Sequence, residues 1–102
     1  MEIKQLVYFV AIVEEGTISK AAAALYMAQP PLSRQLNFIE DELGEVLFDR
    51  SNKKRLVITP KGELFYHKAK EILFQLEDSI NEVRDLGENL SEKIKGGSAI
   101  YC

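Results

Sequence analysis

The residues richest in chemistry lie between positions 29 and 37, in the run Gln29-Pro30-Pro31-Leu32-Ser33-Arg34-Gln35-Leu36-Asn37. Leu32, Leu36, Ile39 and Leu43 recur at helical spacing and define an apolar face, which places Pro30, Ser33, Arg34 and Asn37 together on the opposite side. A helix that turns Gln29, Ser33, Arg34 and Asn37 outward from its N-terminal end has the donors and acceptors to read a DNA major groove. There arginine pairs with guanine O6 and N7, and glutamine or asparagine with adenine N6 and N7. The plain alternative is the polar, solvated face that every amphipathic helix owns, and the neighbouring elements must decide between the two.

A second group of candidates follows that helix: Arg50, Lys53, Lys54 and Arg55. A basic hairpin tip at that place can reach phosphates or the adjacent minor groove, adding salt-dependent affinity without sequence information. Its plain reading is a turn kept soluble by charge. Phe38 falls near the polar side of the helix and is expected to pack locally. Glu40, Asp41, Glu42 and Glu45 are expected to form a solvated acidic end to the helix, because nothing apolar surrounds them in the sequence.

Catalytic chemistry finds no foothold. His67 is the only histidine and has no second ligand in register, so neither metal binding nor acid–base work is expected of it. The single cysteine, Cys102, can neither staple the fold nor join a ligand cluster, which fits a reducing cytoplasm. No nucleophile–base pair, metal set or phosphate loop is present, so no catalytic residue, metal or cofactor is expected.

The elements that must position these residues follow from periodicity and punctuation. Ile3, Leu6, Val7, Val10 and Val13 give the stripe of a first helix, which Gly16 ends. Thr17 caps a short alanine-rich helix whose small residues at 21–24 admit a neighbouring helix closely; it stops near Leu25. After a brief connection, Pro30 and Pro31 open the third helix, where the missing N–H groups would have had no helical acceptor. That helix runs to Leu43, with Gly44 as its C-cap. Two short helices joined by a tight connection outline a helix-turn-helix.

Beyond Gly44, "LFDR" and "RLVIT" read as short strands flanking a Ser51-Asn52-Lys53-Lys54 turn. Thr59 then caps and Pro60 opens a long helix, with Ala69, Leu73, Leu76, Ile80 and Val83 spaced as a coiled-coil seam for a second chain. The seam slips near Gly87, where Leu86, Leu90 and Ile94 leave the register. The expected division is therefore a compact unit over 1–59, a pairing helix over 60–90, and a hinge with the start of a further strand over 91–102.

At 102 residues and 46% hydrophobic content, the chain supports one small, mainly α-helical domain with little room for an enclosed active site. Its net charge of −3 conceals a strong division: residues 17–38 carry +2 and residues 50–62 carry +5, both without an acid, whereas residues 39–49 carry −5. Such a division suggests a local electropositive face on an acidic protein. The longest apolar run, Leu6 to Val13, is too short to span a bilayer, and no leader precedes it, so no membrane partner is expected.

The stretches "LVYFVAIVEEGTISKAAAAL", "AQPPLSRQLNFIEDELGEVLFDR" and "ITPKGELFYHKAKEIL" together resemble the N-terminal DNA-binding domain of LysR-type transcriptional regulators, over nearly all of residues 1–88. "AQPPLSRQ" is similar to members controlling aromatic-compound degradation. The resemblance implies a winged helix-turn-helix with a small two-stranded wing. It also implies a linker helix that pairs two chains antiparallel, giving a homodimer that reads a partly palindromic operator and a tetramer in the full-length protein. Family DNA contacts carry over to Gln29, Pro30, Ser33 and Arg34 in the helix and to Lys53 at the wing, where relatives often place arginine. Asn37-Phe38 departs from the family's polar or basic pair. The family's effector-binding domain has no counterpart here, so a small-molecule effector is expected to act only through that domain, and the chain is expected to be a fragment or truncation. The rival readings are a protein-interaction module docking through its charged surfaces and, far behind, an enzyme; salt-dependent binding to operator-like DNA separates the first from the DNA-binding reading.

Overall fold

A computed structural model describes residues 1–51 and 55–97, with side chains described through Leu86. The elements are α1 (Ile3–Glu15), α2 (Ile18–Ala24), α3 (Gln29–Leu43), β1 (Phe48–Asp49), β2 (Val57–Ile58) and α4 (Pro60–Gly97). β1 and β2 pair antiparallel, Phe48 opposite Ile58 and Asp49 opposite Val57. The punctuation legible in the sequence sets most of the ends. Gly16 and Gly44 close α1 and α3 in the left-handed conformation, at φ 89° and 68°. The Thr17 hydroxyl accepts the Lys20 N–H at 3.0 Å to start α2. The Thr59 hydroxyl accepts the Gly62 N–H at 3.0 Å and donates to the Val46 carbonyl at 2.7 Å, so one side chain both caps α4 and ties it to the segment before β1.

The core joins α1, α2 and α3 through Phe9, Ile12, Ala21, Ala22, Leu32, Leu36 and Ile39, closed by Leu47 and Phe48. The Phe9 ring is its hub, tilted against Phe48 at 5.5 Å and against Phe65 of α4 at 4.9 Å between centroids. A smaller cluster of Leu6, Val10 and Ala69 docks the beginning of α4 on α1. Polar side chains reinforce this join: Glu14 accepts from the Tyr66 hydroxyl at 2.8 Å and from Lys70 at 3.0 Å. The Lys70 ammonium, and then the Tyr66 hydroxyl, hold the Glu14 carboxyl below the usual carboxylate range.

Several expectations are corrected by packing. In α1, Phe9 and Ile12 are buried alongside Leu6 and Val10, whereas Ile3 and Val7 are exposed. The helix has neighbours on two sides, so its buried arc is wider than a single stripe and rotated from it. In α3 the apolar face ends at Ile39: Leu43 is exposed, because Gly44 turns the chain back and Leu47 and Phe48 fill the core instead. Phe38 is 55% exposed and stands outside the core clusters. Of the alanines at 21–24 only Ala21 and Ala22 are buried. The strands are two residues each, and the Asp49 side chain accepts the Ser51 N–H at 2.9 Å, which turns the chain out of β1. The helical backbone of α4 continues to Gly97, past the boundary expected at residue 90. The expected turn at Asn52-Lys53-Lys54 and the segment 98–102 lie outside the described residues.

At Gly62 the α4 backbone lies close against Leu47 and Ile58. A Cβ added there would collide with the Leu47 carbonyl oxygen and lie 2.8 Å from Ile58 Cγ1. Backbone cannot yield as a side-chain tip can. Gly62→Ala should therefore destabilise the fold by about 1–3 kcal/mol despite alanine's better helix propensity. Urea titration followed by circular dichroism checks this, and a variant as stable as the wild type would show that α4 can shift without cost.

Candidate nucleic-acid interface

α3 is rotated by its core side. With Leu32, Leu36 and Ile39 wholly buried, Gln29, Pro30, Arg34 and Asn37 are exposed and Ser33 is half-buried between the two faces. The five residues expected to act together thus share one side of one helix. Gln35, on the flank, accepts from the Gln5 amide at 3.1 Å and fixes α3 against α1. Ala28 offers no side-chain cap, and Pro30 and Pro31 occupy positions where an N–H would have no helical acceptor. The helix therefore presents a stiff, apolar-edged tip with polar side chains just behind it. Among the described residues, the Arg34 guanidinium meets no carboxylate within salt-bridge distance, leaving its donors available.

The connection into the tight turn carries strain. Tyr26 takes φ 57° and is 97% exposed, while the Met27 N–H bonds the Ala22 carbonyl at 2.9 Å. A left-handed tyrosine is uncommon and costs about 1 kcal/mol or more, which the capping bonds of α2 offset.

Glu40 overturns the expectation of a uniformly solvated acidic end. Its side chain is only 12% exposed and bonds three donors in the segment after α3: Oε2 accepts the N–H groups of Leu47 at 2.8 Å and Phe48 at 3.3 Å, and Oε1 accepts Arg50 Nη2 at 2.9 Å. The sequence held one signal for this. Glu40 follows Leu36 by four and Ile39 by one, at the margin of the buried face, where a carboxylate must find partners. Two of its acidic neighbours are also engaged, Glu42 with the N-terminal ammonium at 2.8 Å and Glu45 with Lys61 at 2.6 Å.

The wing residues divide accordingly. Arg50 stands beside β1 with its side chain 42% exposed and its guanidinium paired with Glu40. Arg55 is exposed just before β2. Lys53 and Lys54 lie outside the described residues.

On the far side, α4 and α1 form an apolar groove of about 350 Å³ lined by Ile3, Val7, Leu73, Leu76, Glu77 and Ile80. Leu76 and Ile80 are each 42% exposed and Val83 71% exposed. Ala69, expected in the same seam, is instead wholly buried against Leu6 and Val10 and is closed to any second chain. Ile3 and Val7, which the sequence pattern assigned to the core, take its place beside the seam. His67 is exposed on α4 with its ring against Tyr66. Among the described residues no group of three or more His, Cys, Asp or Glu could hold a metal, and no helix is long and apolar enough to cross a membrane.

Comparison with known proteins adds an independent line. Residues 3–63 match the family described as bacterial regulatory helix-turn-helix protein, lysR family. The chain is 52% identical over 102 residues to the HTH-type transcriptional regulator BsdA of Bacillus subtilis (strain 168), covering 100% of this chain and 35% of that protein. To the regulator BenM of Acinetobacter baylyi it is 43% identical over 81 residues, 79% of this chain and 26% of that protein. The chain thus spans about a third or less of these relatives. The BenM DNA-binding domain in complex with benA site 1 DNA superposes with a TM-score of 0.81 at 41% identity, covering 84% of this chain and 99% of that one. The CbnR DNA-binding domain in its DNA complex gives 0.80 at 37% identity, covering 85% and 99%. The short α2–α3 pair, the two-stranded wing and the long α4 are the winged helix-turn-helix of those domains, and the chain belongs to the LysR family of bacterial regulatory proteins.

Proposed function

We propose that this chain is the sequence-specific DNA-binding portion of a bacterial transcriptional regulator, acting on double-stranded operator DNA in the cytoplasm as a binding module and not as an enzyme. The observation that carries the reading is the row Gln29, Pro30, Ser33, Arg34 and Asn37 turned outward on a helix whose other side is the core. Arg34 and the two amide side chains supply the hydrogen-bonding pattern that distinguishes base pairs in the major groove. The wing, through Lys53, Lys54 and Arg55, supplies phosphate contacts that hold the helix in register. The DNA-bound state of the BenM and CbnR domains supports the same reading for their relative. Response to a small-molecule effector and assembly of a tetramer belong, in this reading, to sequence outside these 102 residues.

The reading includes a two-fold dimer. Leu73, Leu76, Ile80 and Val83 form a self-complementary row: with two copies of α4 antiparallel, Leu73 faces the partner's Val83 and Leu76 faces the partner's Ile80. Both pairs straddle residue 78. Ile3 and Val7 widen the apolar surface beside that row.

Two experiments test these parts separately. Arg34→Ala should weaken binding to a preferred duplex by about 1–3 kcal/mol and relax base preference, whereas Lys53→Ala should weaken all duplexes alike and reduce the salt slope by about one. Anisotropy titrations on selected and scrambled duplexes check this, and equal losses on both duplexes for Arg34→Ala would show that α3 reads no bases.

Leu76→Asp should convert dimers to monomers, because an unpaired carboxylate in the seam costs several kcal/mol. Sedimentation equilibrium measures the change. A wild-type chain that is monomeric at high micromolar concentration would remove the seam from the account.

A further inference from the structure

We infer that Glu40 is a positioning residue for DNA recognition: its carboxylate sets the wing in place relative to the reading helix, and Arg50 serves that arrangement instead of contacting phosphate. The inference rests on the DNA-binding reading above.

Three features carry it. First, the donors that Glu40 gathers all come from one short segment, Leu47, Phe48 and Arg50, which is the only stretch of chain leading from α3 into the wing. Second, beyond the core packing of Leu47 and Phe48 and the Thr59 hydroxyl on the Val46 carbonyl, the backbone ties of that segment are short. β1 and β2 share two residue pairs, and the bond from the Thr59 N–H to the Leu47 carbonyl at 3.0 Å extends the ladder by one step. Third, a carboxylate is locally disfavoured here. Glu40 sits in the last turn of α3, where the helix dipole opposes an anion, and it is followed by Asp41 and Glu42. Its partners must therefore supply the stabilisation, and those partners belong to the wing's stem. Asn37, on the reading face, lies one turn away on the same helix, so displacement of the stem alters the spacing between base-reading and phosphate-contacting groups. The Glu40–Arg50 pair carries no net charge, which removes Arg50 from the cations that draw DNA.

The sign of one measurement separates positioning from simple electrostatics. Removing an acid from a DNA-binding surface ordinarily tightens binding, because repulsion of the phosphates is relieved. Glu40→Gln keeps the side-chain length and one acceptor oxygen, so the fold is retained while Arg50 is released; circular dichroism melts of each variant fix a working temperature well below unfolding. The probes are a duplex that the wild-type 102-residue chain selects from a random-sequence pool and a scrambled duplex of the same length, titrated by fluorescence anisotropy between about 50 and 200 mM salt. Glu40→Gln is expected to bind the selected duplex about tenfold more weakly in spite of losing a negative charge, with a salt slope smaller by about one. Arg50→Gln is expected to lose a similar factor, the double variant no more than the weaker single one, and Arg50→Lys to recover part of the loss. Unchanged or tighter binding by Glu40→Gln would overturn the inference, as would losses that multiply in the double variant, since Arg50 would then contact phosphate independently. A wild-type chain that selects no duplex would instead overturn the DNA-binding reading, and this inference with it.

Discussion

The burial of Leu32, Leu36 and Ile39 fixes the rotation of α3 about its own axis, and the proposed recognition surface depends on that rotation. These side chains share one core with Phe9, Ile12, Ala21 and Ala22. Each fully buried aliphatic contributes about 1.5–3 kcal/mol, so a rotation that expelled them would remove much of what holds so small a domain together. The same constraint keeps Arg34 and Asn37 outward. Ala21 and Ala22 matter because they are small: their wholly apolar, short side chains let α2 lie close to the core face and bring the connection to the tip of α3.

The tip itself combines opposite demands. Groove reading requires polar groups at an end of a helix, and helix ends ordinarily need caps. Here the two prolines remove two donors and fix φ near its helical value, so the end is ordered without a capping side chain. The strain at Tyr26 lies in the same connection and is held by backbone bonds from Tyr26 and Met27 to the last turn of α2. At the other end of α3, Glu40 turns a position unfavourable for an anion into the junction with the wing. Among the described residues Arg34 and Arg55 are exposed cations on α3 and before β2, while most of the acids from Glu40 to Glu45 are engaged by ammonium, guanidinium or backbone groups.

α4 serves two roles in succession along its length. Its first turns belong to the domain, through Gly62 beside Leu47, Phe65 against Phe9 and Ala69 against Leu6 and Val10. From Phe74 onward the described side chains are exposed, including a row of large aliphatics. A helix with that division is anchored rigidly at one end and offers an apolar stripe at the other, so a second chain packed on the stripe would have its own reading helix held at a defined separation. Glu14, with its carboxyl stabilised by Lys70 and Tyr66, fastens the joint where the two roles meet.

How much of this was legible in the chain divides along a physical line. Local chemistry was written in the sequence: Gly16 and Gly44 as left-handed stops, Thr17 and Thr59 as caps, the prolines at the start of α3, and the outward row at 29, 30, 33, 34 and 37 all follow from steric and hydrogen-bonding rules that act within a few residues. What touches what across the fold was not. A 3.6-residue period says that a face is apolar but not how many neighbours cover it, so the period alone leaves out Phe9 and Ile12, puts Ile3 and Val7 inside, and assigns Ala69 to a second chain although Leu6 and Val10 already enclose it. Glu40 looked like one of several solvated acids because its partners, Leu47, Phe48 and Arg50, reach it only after Gly44 has turned the chain back. The sequence by itself determined the helices, the starts and stops that its glycines, threonines and prolines mark, and the polar outward side of α3, since each depends on interactions short in sequence; only the tertiary structure decided which apolar surface remained open and which charge became a strut, since both depend on contacts between segments that are distant along the chain.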